Sequence, residues 1–217
     1  MSTQHEVERL EQVYRGYQAR ETVHSLWSKQ NIGNQVIVQE RNTTLERLLC
    51  TNNFLPMANH KILDIGCGSG SLLAGFMNWG ALTSNLYGVD LLPERIDAAR
   101  QQFPDLCFQQ GNAEQLNFAT SMFDFVMFST VFSSILNTQM AQNIANEANR
   151  ILKPSGAIIW YDFRYNNPRN PHVRGMKRTQ IQCLFPDFKL QLRTITLLPP
   201  LARRLGPLTS IFYPLLA

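Results

Sequence analysis

Residues 61–71, KILDIGCGSGS, constrain this chain more than any other segment. KILDIG is a short apolar run closed by glycine, the signature of a strand buried on both faces. Gly66, Gly68 and Gly70 follow within five residues; lacking Cβ atoms, they let the backbone turn sharply and approach a ligand closely. SGSLLAGFMNWG (69–80) then reads as a helix stopped by Gly80. A buried strand, a glycine turn and a helix form the first half of a β-α-β unit. Such a unit commits the chain to a parallel neighbour strand.

The rest of the central region keeps that rhythm. LYGVD (86–90) reads as a strand and PERIDAARQQF (93–103) as a helix with Pro93 in its first turn. LCFQQ (106–110) and FDFVMFS (123–129) are further strands. Thr138 is the expected N-cap of a helix running to Leu152, and GAIIWYDF (156–163) is a fifth strand. Strands alternating with helices predict an α/β fold with a doubly wound parallel sheet. RYNNPRNP (164–171) reads as a loop, 173–184 as a short helix, and the alternating FKLQLRTITLL (188–198) as a half-exposed edge strand.

The first fifty residues hold no strand pattern. Helical spacing covers 5–18 and 34–50, with a turn expected around Gly33. This predicts two regions: residues 1–52 as an N-terminal helical cover and residues 53–217 as the sheet domain.

With 217 residues the chain is long enough to bury a core without staples. The four cysteines, at 50, 67, 107 and 183, form no CxxC pair, so no metal site is expected. They read as free thiols in the cytoplasm. No run approaches the roughly 20 apolar residues of a membrane span, and the acidic opening MSTQHEVERLEQ is unlike a secretory signal. Charge is uneven: residues 163–217 are net +8, the rest net −4. A solvated basic face and an anionic partner are both compatible with that pattern.

In an open parallel sheet, ligands bind beyond the carboxyl ends of the strands. The glycine turn there fails the dinucleotide fingerprint, because the third glycine position is Ser71. Asp64, two residues before the first glycine, would repel a pyrophosphate and attract a cation such as an ammonium or sulfonium.

Five motifs now stand in order: LDIGCGSG, GVD, GNAEQL, FDFVMFSTVF and ANRILKPSGAIIW. Together they resemble the class I S-adenosylmethionine-dependent methyltransferases over residues 35–163. The resemblance implies a Rossmann-like sheet of order 3-2-1-4-5-7-6, closed by an antiparallel hairpin. This sequence offers a sixth strand at 188–198 and no seventh. The resemblance also implies S-adenosylmethionine as cofactor and S-adenosylhomocysteine as product. Gly66, Gly68 and Gly70 would pass under the cofactor, and Asp64 would hold its amino group. Asp90 would accept from both ribose hydroxyls, and Leu91 would pack on the adenine. Asn112 and Ala113 would meet the adenine edge, Ser129 would lie near the methionine part, and Arg41 would reach its carboxylate. Asp124 reads as a tie at the strand entrance, and Cys67 as a small residue that fits.

The segment after the fourth strand, STVFSS, lacks the (D/N)PP(Y/F/W) signature of enzymes that methylate amino groups of DNA bases or glutamine. A small-molecule acceptor methylated at oxygen is the expected substrate, with an anionic one left open by the basic C-terminal segment. Asp162 and His172 are candidate bases. Arg164 and Arg174, with Tyr14, Tyr17 and Trp27 of the helical cover, are candidate acceptor-binding residues. An RNA methyltransferase, suggested by the basic C-terminal segment, is the alternative, although no RNA-binding module or aromatic-basic interleaving is present. A methyltransferase-like protein that binds cofactor without turnover is another.

Overall fold

The structure, a computed structural model, describes residues 2–18, 28, 30–196 and 202–204. It divides into two compact units: Met1–Gln12 with Pro56–Leu190, and Val13–Leu55 with Gln191–Ala217. The expected division at residue 52 therefore changes in two places. Residues 1–12 belong with the sheet, and the C-terminal residues from 191 belong with the helical segment.

The sheet unit holds five parallel strands in the order β3-β2-β1-β4-β5. These are β1 (Ile62–Ile65), β2 (Leu86–Asp90), β3 (Cys107–Gln110), β4 (Phe123–Ser129) and β5 (Leu152–Tyr161). β1 is buried along its whole length, as its apolar run requires. Register aligns the carboxyl ends: Ile65 pairs with Val89 and Phe128, Asp90 with Gln110, and Ser129 with Tyr161. One edge of the sheet therefore gathers Asp64, Asp90, Ser129 and the loops that follow them.

Helix α1 (Thr3–Gln18) opens the chain, followed by α2 (Ile32–Thr51). After β1 the expected long helix is only α3 (Ser71–Ala74), which tightens into a 3₁₀ segment at Gly75–Trp79. α4 (Pro93–Gln102) begins at Pro93 as expected. α5 (Thr138–Ile151) is capped by Asn137, whose side chain accepts from the Met140 amide at 3.0 Å, and not by Thr138. α6 is confined to Arg178–Leu184.

Two further expectations change. Residues 188–196 form no strand, and β5 is the sheet's last strand among the described residues. An alternating run becomes a strand only where it pairs its backbone with a neighbouring strand, and among the described residues this run is not paired to the sheet. Gly33 is not in a turn but in the first turn of α2, capped by Asn31. A Cβ there would collide with the Ala202 carbonyl, so glycine permits close packing within the helical unit. Arg203 donates to the Asn34 side chain nearby, at 2.7 Å.

The glycine turn is held from below. All three glycines have left-handed backbones, with φ of 74°, 55° and 77°. A Cβ on Gly70 would lie 2.5 Å from Phe108 Cζ, whereas one on Gly68 would find its nearest neighbour, Arg95 Nη1, at 3.9 Å. Gly70→Ala should therefore cost about 2–4 kcal/mol, combining left-handed strain with ring displacement. Gly68→Ala should cost only about 1–2 kcal/mol from backbone strain. Urea unfolding of both variants checks this; equal losses would mean that Phe108 does not fill the space under Gly70.

Candidate functional site

The carboxyl edge of the sheet is assembled around the glycine turn. The amides of Gly66 and Cys67 both donate to the Val89 carbonyl, at 2.8 and 3.1 Å, tying the turn to the end of β2. Asp90 closes it: one carboxylate oxygen accepts from the Gly68 amide at 2.9 Å, the other from the Leu92 amide at 3.0 Å. Arg95 Nη1 stands 3.8 Å from the same carboxylate. Asp64 is 1% exposed at the end of β1. Burial, with Asp64 and Asp90 nearby, pushes the Cys67 thiol well above its ordinary range, so it stays a neutral packing group.

The loop after β3 continues the edge. The Gly111 amide donates to the Asp90 carbonyl at 3.0 Å, and Leu91 is half-buried beside it. The Asn112 side chain accepts from the Glu114 amide at 3.0 Å, and Ala113 is half-buried between them. α5 fixes this loop from outside. Glu147 accepts from the Leu116 amide at 2.7 Å, and Arg150 donates to the Leu116 and Phe118 carbonyls.

Beyond β4, Ser129 ends the strand and Thr130 takes a left-handed φ of 61°. Beyond β5, Asp162 is half-buried. Its Oδ2 accepts from the Ser133 amide at 3.1 Å and the Trp160 indole at 3.3 Å; its Oδ1 accepts from the Phe163 amide at 3.2 Å. Burial pushes its pKa up to about 6, and the hydrogen bonds from Ser133, Phe163 and Trp160 only partly offset that rise. A carboxylate poised there can hold or release a proton near neutrality.

The sheet unit by itself thus brings together Asp64, Gly66, Gly68, Gly70, Asp90, Leu91, Asn112, Ala113, Ser129 and Asp162 along one edge. Gly70 is turned toward Phe108 and serves the turn itself. On the loop after Asp162, Arg164 is exposed and its guanidinium lies 5.4 Å from the Tyr165 ring centroid. His172 is exposed, so nothing in its surroundings singles it out as a base. Arg174 is half-buried: its amide donates to the Ser133 carbonyl at 2.8 Å and its Nη1 to that of Leu136 at 3.4 Å. Asp124 is the structural tie expected of it, bonded to Lys153 and to the Lys61 amide.

Tyr14, Tyr17 and Arg41 belong to the helical unit. The two tyrosines meet edge to face at 5.8 Å, and Arg41 donates to the Asn42 side chain. Trp27 lies outside the described residues. Sequence reading missed Trp160 and Ser133 as partners of Asp162. Trp160 was detectable, because residues two apart on a strand share a face. Ser133 lies on another loop and left no local signal.

A family model described as a methyltransferase domain matches residues 63–160. A demethylmenaquinone methyltransferase from Chlorobaculum parvum is 35% identical over 116 residues, covering 54% of this chain and 45% of that protein. An uncharacterized methyltransferase from Synechocystis is 31% identical, covering 50% and 52%. The chain thus spans about half the length of these curated relatives. Among solved structures, the PH0226 protein of Pyrococcus horikoshii shares the fold with a TM-score of 0.58 and 22% identity, covering 78% of this chain and 87% of that one. A methyltransferase structure from Methanosarcina mazei gives 0.54 and 22%, covering 64% and 82%.

Proposed function

We propose that this chain, whose residues 63–160 match a family model described as a methyltransferase domain, is a class I S-adenosylmethionine-dependent enzyme that transfers a methyl group from that cofactor to a small molecule. The acceptor atom in this proposal is a hydroxyl oxygen. The observation that carries the reading is the convergence of Gly68, Asp90 and Asp162 on one sheet edge.

The residues fit the cofactor on two counts. The Cβ direction of Gly68 meets only the tip of the Arg95 side chain, at 3.9 Å, which leaves backbone for a ligand to lie against. Asp90 spends one lone pair per oxygen on the turn and keeps a second on each, two acceptors suited to a diol. Asp64 supplies a negative charge for the amino group, and Leu91, Asn112 and Ala113 would border the adenine. Ser129 would lie near the methionine part.

The cofactor supplies an already electrophilic methyl group. The chain's contribution is orientation and, for a hydroxyl acceptor, removal of a proton. Asp162 would take that proton. Arg174 and Arg164 would favour an acceptor bearing negative charge. No helix among the described residues is long and apolar enough to cross a membrane. The free cysteines support a cytoplasmic site of action.

A carbon acceptor is the second reading, carried by a sterol 4-C-methyltransferase from Caenorhabditis elegans that is 25% identical over 145 residues, 41% of its length. Titration calorimetry tests the cofactor half of the proposal. S-adenosylmethionine and S-adenosylhomocysteine should bind in the micromolar range and NAD should give no heat. Binding of NAD alone would overturn the reading.

A further inference from the structure

We propose that Glu6, on the N-terminal helix, is a positioning residue: with Arg9 it holds the loop between β4 and α5 in place against the glycine turn. The proposal rests on the reading of that turn as the adenosyl-cofactor site.

A glutamate in the first turns of an N-terminal helix ordinarily faces solvent. Glu6 is 1% exposed. Its Oε1 accepts from the Leu136 amide at 2.6 Å, the Asn137 amide at 3.3 Å and Arg9 Nη2 at 2.7 Å, and its Oε2 accepts from Arg9 Nε at 2.8 Å. Arg9 Nη2 also donates to the Ser134 carbonyl at 2.6 Å. Two side chains one turn apart therefore grip three peptide groups of a loop some 130 residues away. Burial alone would raise the Glu6 pKa; Arg9 and the Leu136 and Asn137 amides outweigh it and keep the carboxyl below its ordinary range. Its charge also sits at the N-terminus of α5, where the helix dipole favours an anion.

The gripped loop borders the cofactor edge on two sides. A Cβ on Gly66 would lie 2.7 Å from Val131 Cγ2, so Val131 packs directly against the first glycine of the turn. Two residues on, the Ser133 amide donates to Asp162. The loop's apolar anchors are separate from the grip. Phe132 is fully buried and packs on Phe128 and Phe185, with ring centroids at 4.7 and 5.9 Å. Loss of Glu6 should therefore loosen peptides 134–137 while Phe132 keeps the loop attached to the core.

Glu6→Gln removes the charge and turns an amide donor toward other donors while keeping the side chain's size. If the gripped form of the loop falls to about a tenth of the population, S-adenosylhomocysteine affinity should fall about tenfold. Amide exchange should rise at 134–137 and stay unchanged in β1 and β4. Arg9→Lys, which keeps the charge but loses the fork, should give a smaller loss of the same kind; it stands in if Glu6→Gln does not fold. Unchanged affinity in the folded variants, or exchange that rises equally through the sheet, would overturn the positioning role. A wild-type protein that does not bind S-adenosylhomocysteine would instead overturn the cofactor reading beneath it.

Discussion

Asp162→Asn should lower turnover roughly 10²–10⁴-fold while leaving S-adenosylhomocysteine affinity nearly intact. The asparagine keeps the shape but cannot take a proton at neutral pH. Because Asp162 titrates near 6, the wild-type kcat/KM should rise with pH through that value and then level. The variant should lose that limb. The sign for stability runs the other way. A carboxyl whose pKa is raised in the fold is disfavoured in its ionised form, a cost present above that pKa and relieved as pH falls through it toward the unfolded value. In the variant that cost disappears, but one of the two accepting oxygens becomes an amide donor facing the Ser133 and Trp160 or the Phe163 N–H groups, so the two changes oppose each other in its stability at neutral pH. A wild-type acidic limb that survives in the variant would remove Asp162 as the base, and a collapse of both turnover and cofactor affinity would make it a structural brace.

The second large effect is expected at Asp90. Asp90→Ala should weaken S-adenosylhomocysteine by about 2–3 kcal/mol, the scale of charge-assisted hydrogen bonds. It should also destabilise the apo protein by about 1–3 kcal/mol, because the Gly68 and Leu92 amides lose their acceptor. Calorimetry and urea unfolding separate the two losses. If stability falls and affinity does not, Asp90 serves the turn alone.

The parts of this fold that were legible are those whose signal is local. β1, β2 and β4 are buried runs bounded by glycine or polar residues, and all three lie where their apolar residues put them. The glycine turn was legible because three left-handed positions in five residues demand glycine. The helix after it was overextended: Leu72 and Leu73 invite a helix, but the chain tightens at Gly75 into 3₁₀ geometry. The cap of α5 shifted by one residue because Asn137 and Thr138 are both competent, and only the chain's path decides between them. Of the strand expected at 188–198, residues 188–196 form none.

The candidate site divides along the same line. Asp64, Gly66, Gly68 and Asp90 sit at strand ends, so placing the strands placed them. The environment of Asp162 was not legible, since burial raises its pKa and one of the hydrogen bonds that partly offset the rise comes from Ser133 on another loop. Glu6 and Arg9 were invisible for the same reason: their partners lie some 130 residues away. The division at residue 52 missed the return of the first twelve residues to the sheet unit.

The central claim is that this chain consumes S-adenosylmethionine to methylate a small molecule. Its most direct test is incubation of the purified protein with cofactor carrying a deuterated methyl group and a small-molecule extract, followed by mass spectrometry. The account predicts a labelled small-molecule product formed in step with S-adenosylhomocysteine and absent with Asp162→Asn. Cofactor that binds but is never consumed, or label that appears only in nucleic acid, would contradict it.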